Sequence, residues 1–216
     1  MAGKLEDKIK EAKANGKERK FLESLELAIN LKDLDLSNPK NRINDEVVLP
    51  KGRGREYKVA IFASEEMRQK VKGAIDISYG PEDLSKFADN KKDFKKIVNQ
   101  VEYFIAESNL MATIGKSLGQ VLGPRGKIPR PVPPGQDPSS MIGVLKRTVR
   151  VRTRDKKTFH VPVGTRAMPE EDVGANIREV FKRIIGKLEK GSSNIDSIYI
   201  KTTMGKAVKL DLGDLN

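Results

Sequence analysis

The sequence has no cysteine, no tryptophan and a single histidine, His160. Without thiols there are no disulfides, no thiolate zinc sites and no cysteine nucleophile, and one histidine cannot assemble a metal site or a catalytic triad. No apolar run approaches the roughly 18 residues of a membrane span. The opening MAGKLEDKIKEAKANGK has no apolar signal-peptide core, so the chain is read as soluble and cytoplasmic, without membrane contact. Acidic residues are in deficit as well: 30 Asp and Glu stand against 42 Lys and Arg, a formal charge of +12 with a pI near 9.7. Such an excess points to a polyanionic partner. A membrane surface is a poor fit, because the first helical segment offers only Leu5, Ile9 and Ala12 opposite a face of mixed charge.

The length of 216 residues admits one large domain or two small ones. Leu5, Ile9 and Ala12 recur at helical spacing before Gly16, which predicts a helix over about 4–14. The period then changes. SLELAINL at 24–31 alternates, with Leu25, Leu27, Ile29 and Leu31 on one face, as a half-buried strand does. Val47 to Leu49 reads as a short edge strand ahead of a basic linker. The middle differs: KVAIFA at 58–63, AIDIS at 74–78 and VEYFIA at 101–106 are apolar runs each followed by helical features, the pattern of a parallel sheet flanked by helices over about 55–146. Ser64 and Asn109 are candidate N-caps there. The stretch 118–138, rich in Gly and Pro, is expected to be a long loop without regular structure. Alternation returns at TVRVRTRD, with Arg150, Arg152 and Arg154 on one face, and a hairpin with FHVPVG is expected across the turn at 155–157. Pro169 and three acidic residues open a helix bearing Val173, Ile177, Val180, Phe181, Ile184, Ile185 and Leu188; strands at 197–203 and 207–212 flank Met204, Gly205 and Lys206.

Gly115-Lys116-Ser117 after a strand invites a phosphate-loop reading, and Lys116 and Ser117 are the best candidates for a nucleotide-dependent RNA-processing enzyme. The motif needs a glycine five positions earlier, where Leu110 stands, and helical spacing buries the backbone donors in a helix. His160 reads as a packed or surface residue. Glu170, Glu171 and Asp172 match the positive end of the helix they begin. No acid–base constellation emerges, and no catalytic residue, metal or cofactor is expected. The basic clusters at 51–55, 125–130 and 146–157 suit RNA better together than singly; a nonspecific polyanion binder is the plainer alternative.

KFLESLELAINL at 20–31, NLMATIGKSLGQVLGPRGKIPRPVPP at 109–134, HVPVGTRAMPEEDVGANI at 160–177 and SIYIKTTMGKAVKLDL at 197–212 resemble the ribosomal protein L-one family of the large subunit, in its archaeal form. The resemblance implies an α/β protein: a discontinuous RNA-binding domain of 1–52 and 148–216 with a split β-α-β sheet, and an inserted three-layer α/β domain of 53–147. It implies binding of large-subunit ribosomal RNA to form the mobile side stalk, contact with exit-site transfer RNA during its release, repression of translation through the protein's own messenger leader, and a monomer off the ribosome. Carried over, the RNA surface takes in Phe21, Ser24, Glu26, Thr203, Met204 and Gly205; Lys20, Arg150, Arg152, Arg154, Lys156, His160, Ser197 and Lys201 complete the expected set. Lys201 and Ser24 both stand where threonine is usual in the family.

Overall fold

The computed structural model describes residues 2–153 and 156–215. In chain order the elements before the first crossing are α1 (Ala2–Ala14), β1 (Ser24–Leu31) and β2 (Asn44–Val48). Then come β3 (Lys58–Phe62), α2 (Glu65–Lys70), β4 (Ile77–Tyr79), α3 (Pro81–Asp89), α4 (Lys91–Gln100), β5 (Val101–Glu107), α5 (Met111–Leu122), β6 (Arg130–Val132) and α6 (Ser139–Arg147). The chain ends with β7 (Thr148–Arg152), β8 (Thr158–Thr165), α7 (Glu170–Ile185), β9 (Ile195–Thr202) and β10 (Val208–Leu210). They form two compact units, one of Met1–Arg55 with Arg147–Asn216 and the other of Glu56–Lys146.

The first unit is built on an antiparallel sheet in the order β10-β9-β1-β8. Alternation along β1 has the expected result: Leu25, Leu27, Ile29 and Leu31 point into the core, while Ser24, Glu26 and Asn30 stay half-exposed. Ala28 shares the outward face yet is buried, because its cross-strand partners are His160 and Tyr199, both larger. α1 and α7 pack together on the inner face, α1 through Leu5, Ile9 and Ala12 and α7 through Val173, Ile177, Val180, Phe181 and Ile184. Asn176 sits fully buried among them. Its Oδ1 accepts from Lys51 N at 3.0 Å, and its Nδ2 donates to Gly52 O and Val163 O, both at 2.8 Å.

The expected hairpin between β7 and β8 does not form. β7 pairs antiparallel with β2, Val149 opposite Val47, while β8 pairs with β1. Periodicity tells that a segment is a strand and which face is buried, but not its partner; Val149 and Val151 are buried as the alternation implies, against β2. Thr153 fixes the choice locally: its Oγ1 accepts from Ile43 N at 2.8 Å and its own N donates to Ile43 O at 2.9 Å.

In the second unit a parallel sheet, ordered β4-β3-β5-β6, lies between two apolar clusters. Phe62, Phe94, Phe104, Ile114 and Leu118 fill one side under α3, α4 and α5; Ile61, Tyr103, Ile105, Met67, Ile142 and Leu145 fill the other under α2 and α6. The stretch 118–138 is not an irregular loop. α5 continues to Leu122, β6 adds a fourth strand, and α6 begins at Ser139. Proline is tolerated in β6 because that strand is the sheet edge, where Pro131 needs no donor on its open side. Lys127 ties the intervening turn down, its Nζ donating to Val98 O at 2.9 Å and Val101 O at 2.6 Å. The second strand of the unit is shorter and later than expected: Ala74 and Ile75 pack into the core and β4 starts at Ile77. Ser64 is the N-cap of α2, as expected, but its hydroxyl donates to Glu107 Oε1 at 3.2 Å instead of accepting from the helix; Asn109 is not an N-cap, because a 3-10 turn from Ser108 to Leu110 precedes α5. No helix among the described residues is long and apolar enough to cross a membrane.

Candidate nucleic-acid interface

The outward face of the antiparallel sheet is assembled in rows by strand register. Asn30 lies between Thr158 and Ser197, Ala28 between His160 and Tyr199, and Glu26 between Pro162 and Lys201. The first row is hydrogen-bonded throughout, Thr158 Oγ1 donating to Asn30 Oδ1 at 2.7 Å and Asn30 Nδ2 to Ser197 Oγ at 2.8 Å. His160 is exposed with its Nδ1 3.7 Å from Glu26 Oε2. Lys201 faces Glu26 from the other side, so this carboxylate sits between two groups that can carry positive charge.

At the Ser24 end of β1 the sheet meets the turn that follows β9. Thr203 N donates to Ser24 O at 3.0 Å, Ser24 N donates to Thr203 Oγ1 at 3.2 Å, and the Thr203 hydroxyl donates to Ser24 O at 3.3 Å. Gly205 N closes the turn onto Thr202 O at 3.2 Å. One residue before Ser24, the Glu23 carboxylate accepts from Met204 N at 3.1 Å. These bonds hold two loops side by side, and both carry exposed apolar side chains: Met204 is 62% exposed, Phe21 54% and Leu22 41%. Grouped on two adjoining loops of a strongly basic chain, these side chains make this end of the sheet the candidate contact surface. Lys20 and Arg19 are exposed on the same loop, and with Phe21 and Arg166 they border a groove of about 510 Å³.

The expected residues therefore fall into separate places. Lys20, Phe21, Ser24, Glu26, Lys201, Thr203, Met204 and Gly205 converge at one end of the sheet, and His160 and Ser197 lie along its face. Lys156 precedes β8, at the opposite end of that strand from Thr165, the partner of Ser24. Arg150 and Arg152 stand in the other sheet of the unit, where Arg150 Nε is 3.4 Å from Glu46 Oε1 and Arg152 is exposed. Arg154 lies outside the described residues. Glu23 and Arg166 take part in building this end of the sheet and were not singled out from sequence; Arg55, from the basic cluster at 51–55, joins them by donating to Leu22 O. Glu23 left a signal: it continues the odd-numbered row of Leu25, Leu27 and Ile29, where an ionisable side chain must be buried.

The middle unit offers no phosphate loop. Lys116 is exposed midway along α5, and the Ser117 hydroxyl donates back to Thr113 O at 2.7 Å, as serine does within a helix. Among the described residues no group of three His, Asp or Glu could hold a metal ion.

Residues 9–206 match the family described as Ribosomal protein L1p/L10e. Three archaeal proteins, each named large ribosomal subunit protein uL1, are similar over nearly their whole length. That of Picrophilus torridus is 61% identical over 97% of this chain and 98% of its own. The Thermoplasma acidophilum protein is 60% identical over 95% of each chain, and that of Archaeoglobus fulgidus 44% over 96% and 97%.

Proposed function

The chain belongs to the ribosomal protein L1p/L10e family, and from that membership we propose that it binds a folded segment of large-subunit ribosomal RNA through the Ser24–Thr203 end of its antiparallel sheet. It is an RNA-binding protein of the large ribosomal subunit, located with the ribosome in the cytoplasm, and not an enzyme. The observation that carries the site is the hydrogen-bonded junction of Ser24 with Thr203, which holds exposed Phe21 and Met204 beside Lys20 and Lys201.

Each group has a part in RNA recognition. Phe21 and Met204 offer apolar surface to sugars and bases; backbone at Gly205 can approach closely; the hydroxyls of Ser24 and Thr203 can meet 2′-hydroxyls. Lys20 and Lys201 supply phosphate contacts whose strength falls with salt. Glu26, a poor neighbour for phosphate, accepts base N–H donors and so selects sequence. His160 and Ser197 extend the surface along the face, and Arg150, Arg152, Arg154 and Lys156 supply further backbone contacts. Residues 1–52 with 148–216 act as the RNA-binding domain and 53–147 as an inserted one. The bound protein forms the mobile side stalk and touches transfer RNA leaving the exit site. Off the ribosome it is a monomer that represses its own messenger by binding a mimic of the ribosomal site.

Reconstitution tests this directly. Large subunits stripped of the protein should take it back stoichiometrically, with a ribosomal RNA footprint confined to one folded segment. A footprint spread over many helices would leave only a basic protein. Repression is separate: the purified protein should bind its own leader RNA in competition with the ribosomal fragment, and absence of leader binding removes that role alone.

A further inference from the structure

We propose that Glu23 is the positioning residue of this site: its buried carboxylate fixes the Thr203–Gly205 backbone in the shape that meets RNA. The inference rests on the reading that RNA binds at the Ser24–Thr203 end. Glu23 is 2% exposed, one residue before β1, at the inward parity that leucine and isoleucine fill within the strand. Burying a carboxylate is costly, and burying one beneath a surface that receives phosphate is costly twice, through desolvation and through repulsion. Its two oxygens have unequal partners. Oε1 accepts the Met204 N–H at 3.1 Å, while Oε2 has the Arg166 Nη1 ion pair at 3.5 Å and no hydrogen bond among the described residues. A buried polar atom without a hydrogen bond marks functional constraint more than fold optimisation.

The surroundings make the carboxylate a junction. Arg166, its counter-ion, donates from its own N to Glu23 O at 3.0 Å and from Nη1 to Lys17 O at 3.0 Å. Segments near 17, 23, 166 and 204 thus converge on one side chain. Gly16 and Gly205 lack side chains where the packing is tightest. A Cβ on Gly16 would lie 2.9 Å from Thr202 Oγ1 and 3.1 Å from Glu23 Oε2, and one on Gly205 would overlap Thr202 Oγ1. The turn is closed against Glu23 and Thr202 from both sides, so the carboxylate decides where Met204 stands.

Two substitutions separate positioning from bulk stability. Glu23→Leu places an apolar side chain at the inward parity just before β1 and removes the acceptor; Glu23→Gln keeps an acceptor for Met204 N–H and removes the charge. Thermal midpoint, the amide resonances of Met204 and Gly205, and affinity for a ribosomal stalk RNA fragment and an unrelated duplex are measured for each. Glu23→Leu should unfold at or above the wild-type temperature, move both resonances, and lose about tenfold or more in stalk-fragment affinity, with duplex binding unchanged. Glu23→Gln should stay within about threefold of wild type. Wild-type affinity in a folded Glu23→Leu protein overturns the proposal, as does a loss matched by an equal fall in thermal midpoint. If Glu23→Leu does not fold, Glu23→Gln decides: retained affinity with the Met204 resonance in place supports positioning, and a loss beyond about tenfold overturns it. A wild type without preference for the stalk fragment would instead remove the underlying site assignment.

Discussion

Ser24 and Thr203, 179 residues apart in sequence, are joined by three hydrogen bonds between β1 and the turn after β9. Two of them, Ser24 N to Thr203 Oγ1 and Thr203 Oγ1 to Ser24 O, need the hydroxyl. Thr203→Val keeps shape and removes both, so it should cost about 1–2 kcal/mol of stability. Amide exchange at Ser24 should speed accordingly, while exchange in the core of α7 stays as in the wild type.

Gly205 is the tightest point of the turn. Gly205→Ala forces a methyl against Thr202 Oγ1, which is itself fully buried and cannot move outward freely. Overpacking of this kind costs about 1–3 kcal/mol. The variant should keep its far-UV circular dichroism, unfold at a lower temperature, and bind stalk RNA more weakly.

Asn176 is the buried polar hub of the first unit, accepting from Lys51 N and donating to Gly52 O and Val163 O. Asn176→Ala orphans three backbone groups and should destabilise by on the order of 3 kcal/mol, read from urea unfolding. Asn176→Asp should be equally damaging, because it exchanges a donor for a buried charge facing two carbonyls.

The Glu170 carboxyl is held below its ordinary 4.5 by the Lys13 ammonium bonded to it at 2.8 Å and by backbone N–H at the start of α7. A depressed carboxylate contributes stability above its unfolded value, and that contribution is lost as pH falls through the folded value. The loss should therefore begin below about pH 4.5 and shrink in Lys13→Ala. Carboxyl titration by carbon NMR should show the Glu170 midpoint rising in that variant.

Lys116→Ala should leave RNA affinity and stability as in the wild type. Its ammonium is exposed midway along α5, where backbone donors are already bonded, so incubation with ATP or GTP should yield no hydrolysis in either protein.

Much of the fold is legible in the sequence where burial imposes a period: β1 runs over the residues that the alternation of Leu25 to Leu31 marks, and α7 over those that Val173 to Ile184 mark. Pairing is less legible. β7 chooses β2 instead of β8 through Thr153 and Ile43, a contact 110 residues apart that no local pattern encodes. The Gly/Pro stretch misleads because the two residue types act by context: Gly115 and Gly119 are carried inside a packed helix, and Pro131 is harmless at a sheet edge. For the candidate site, Phe21, Ser24, Thr203, Met204 and Gly205 are named by family resemblance, not by periodicity. Register explains why they meet. Glu23 and Arg166 escape both routes, although the inward parity of position 23 was there to be read.

The most direct test is equilibrium binding of the wild type and Thr203→Val to a ribosomal stalk fragment and an unrelated duplex across a range of salt concentrations. The wild type should prefer the stalk fragment at every salt concentration, and Thr203→Val should lose that preference while keeping its weak, salt-sensitive duplex binding. Equal affinity of both proteins for both RNAs would contradict a specific site at Ser24 and Thr203.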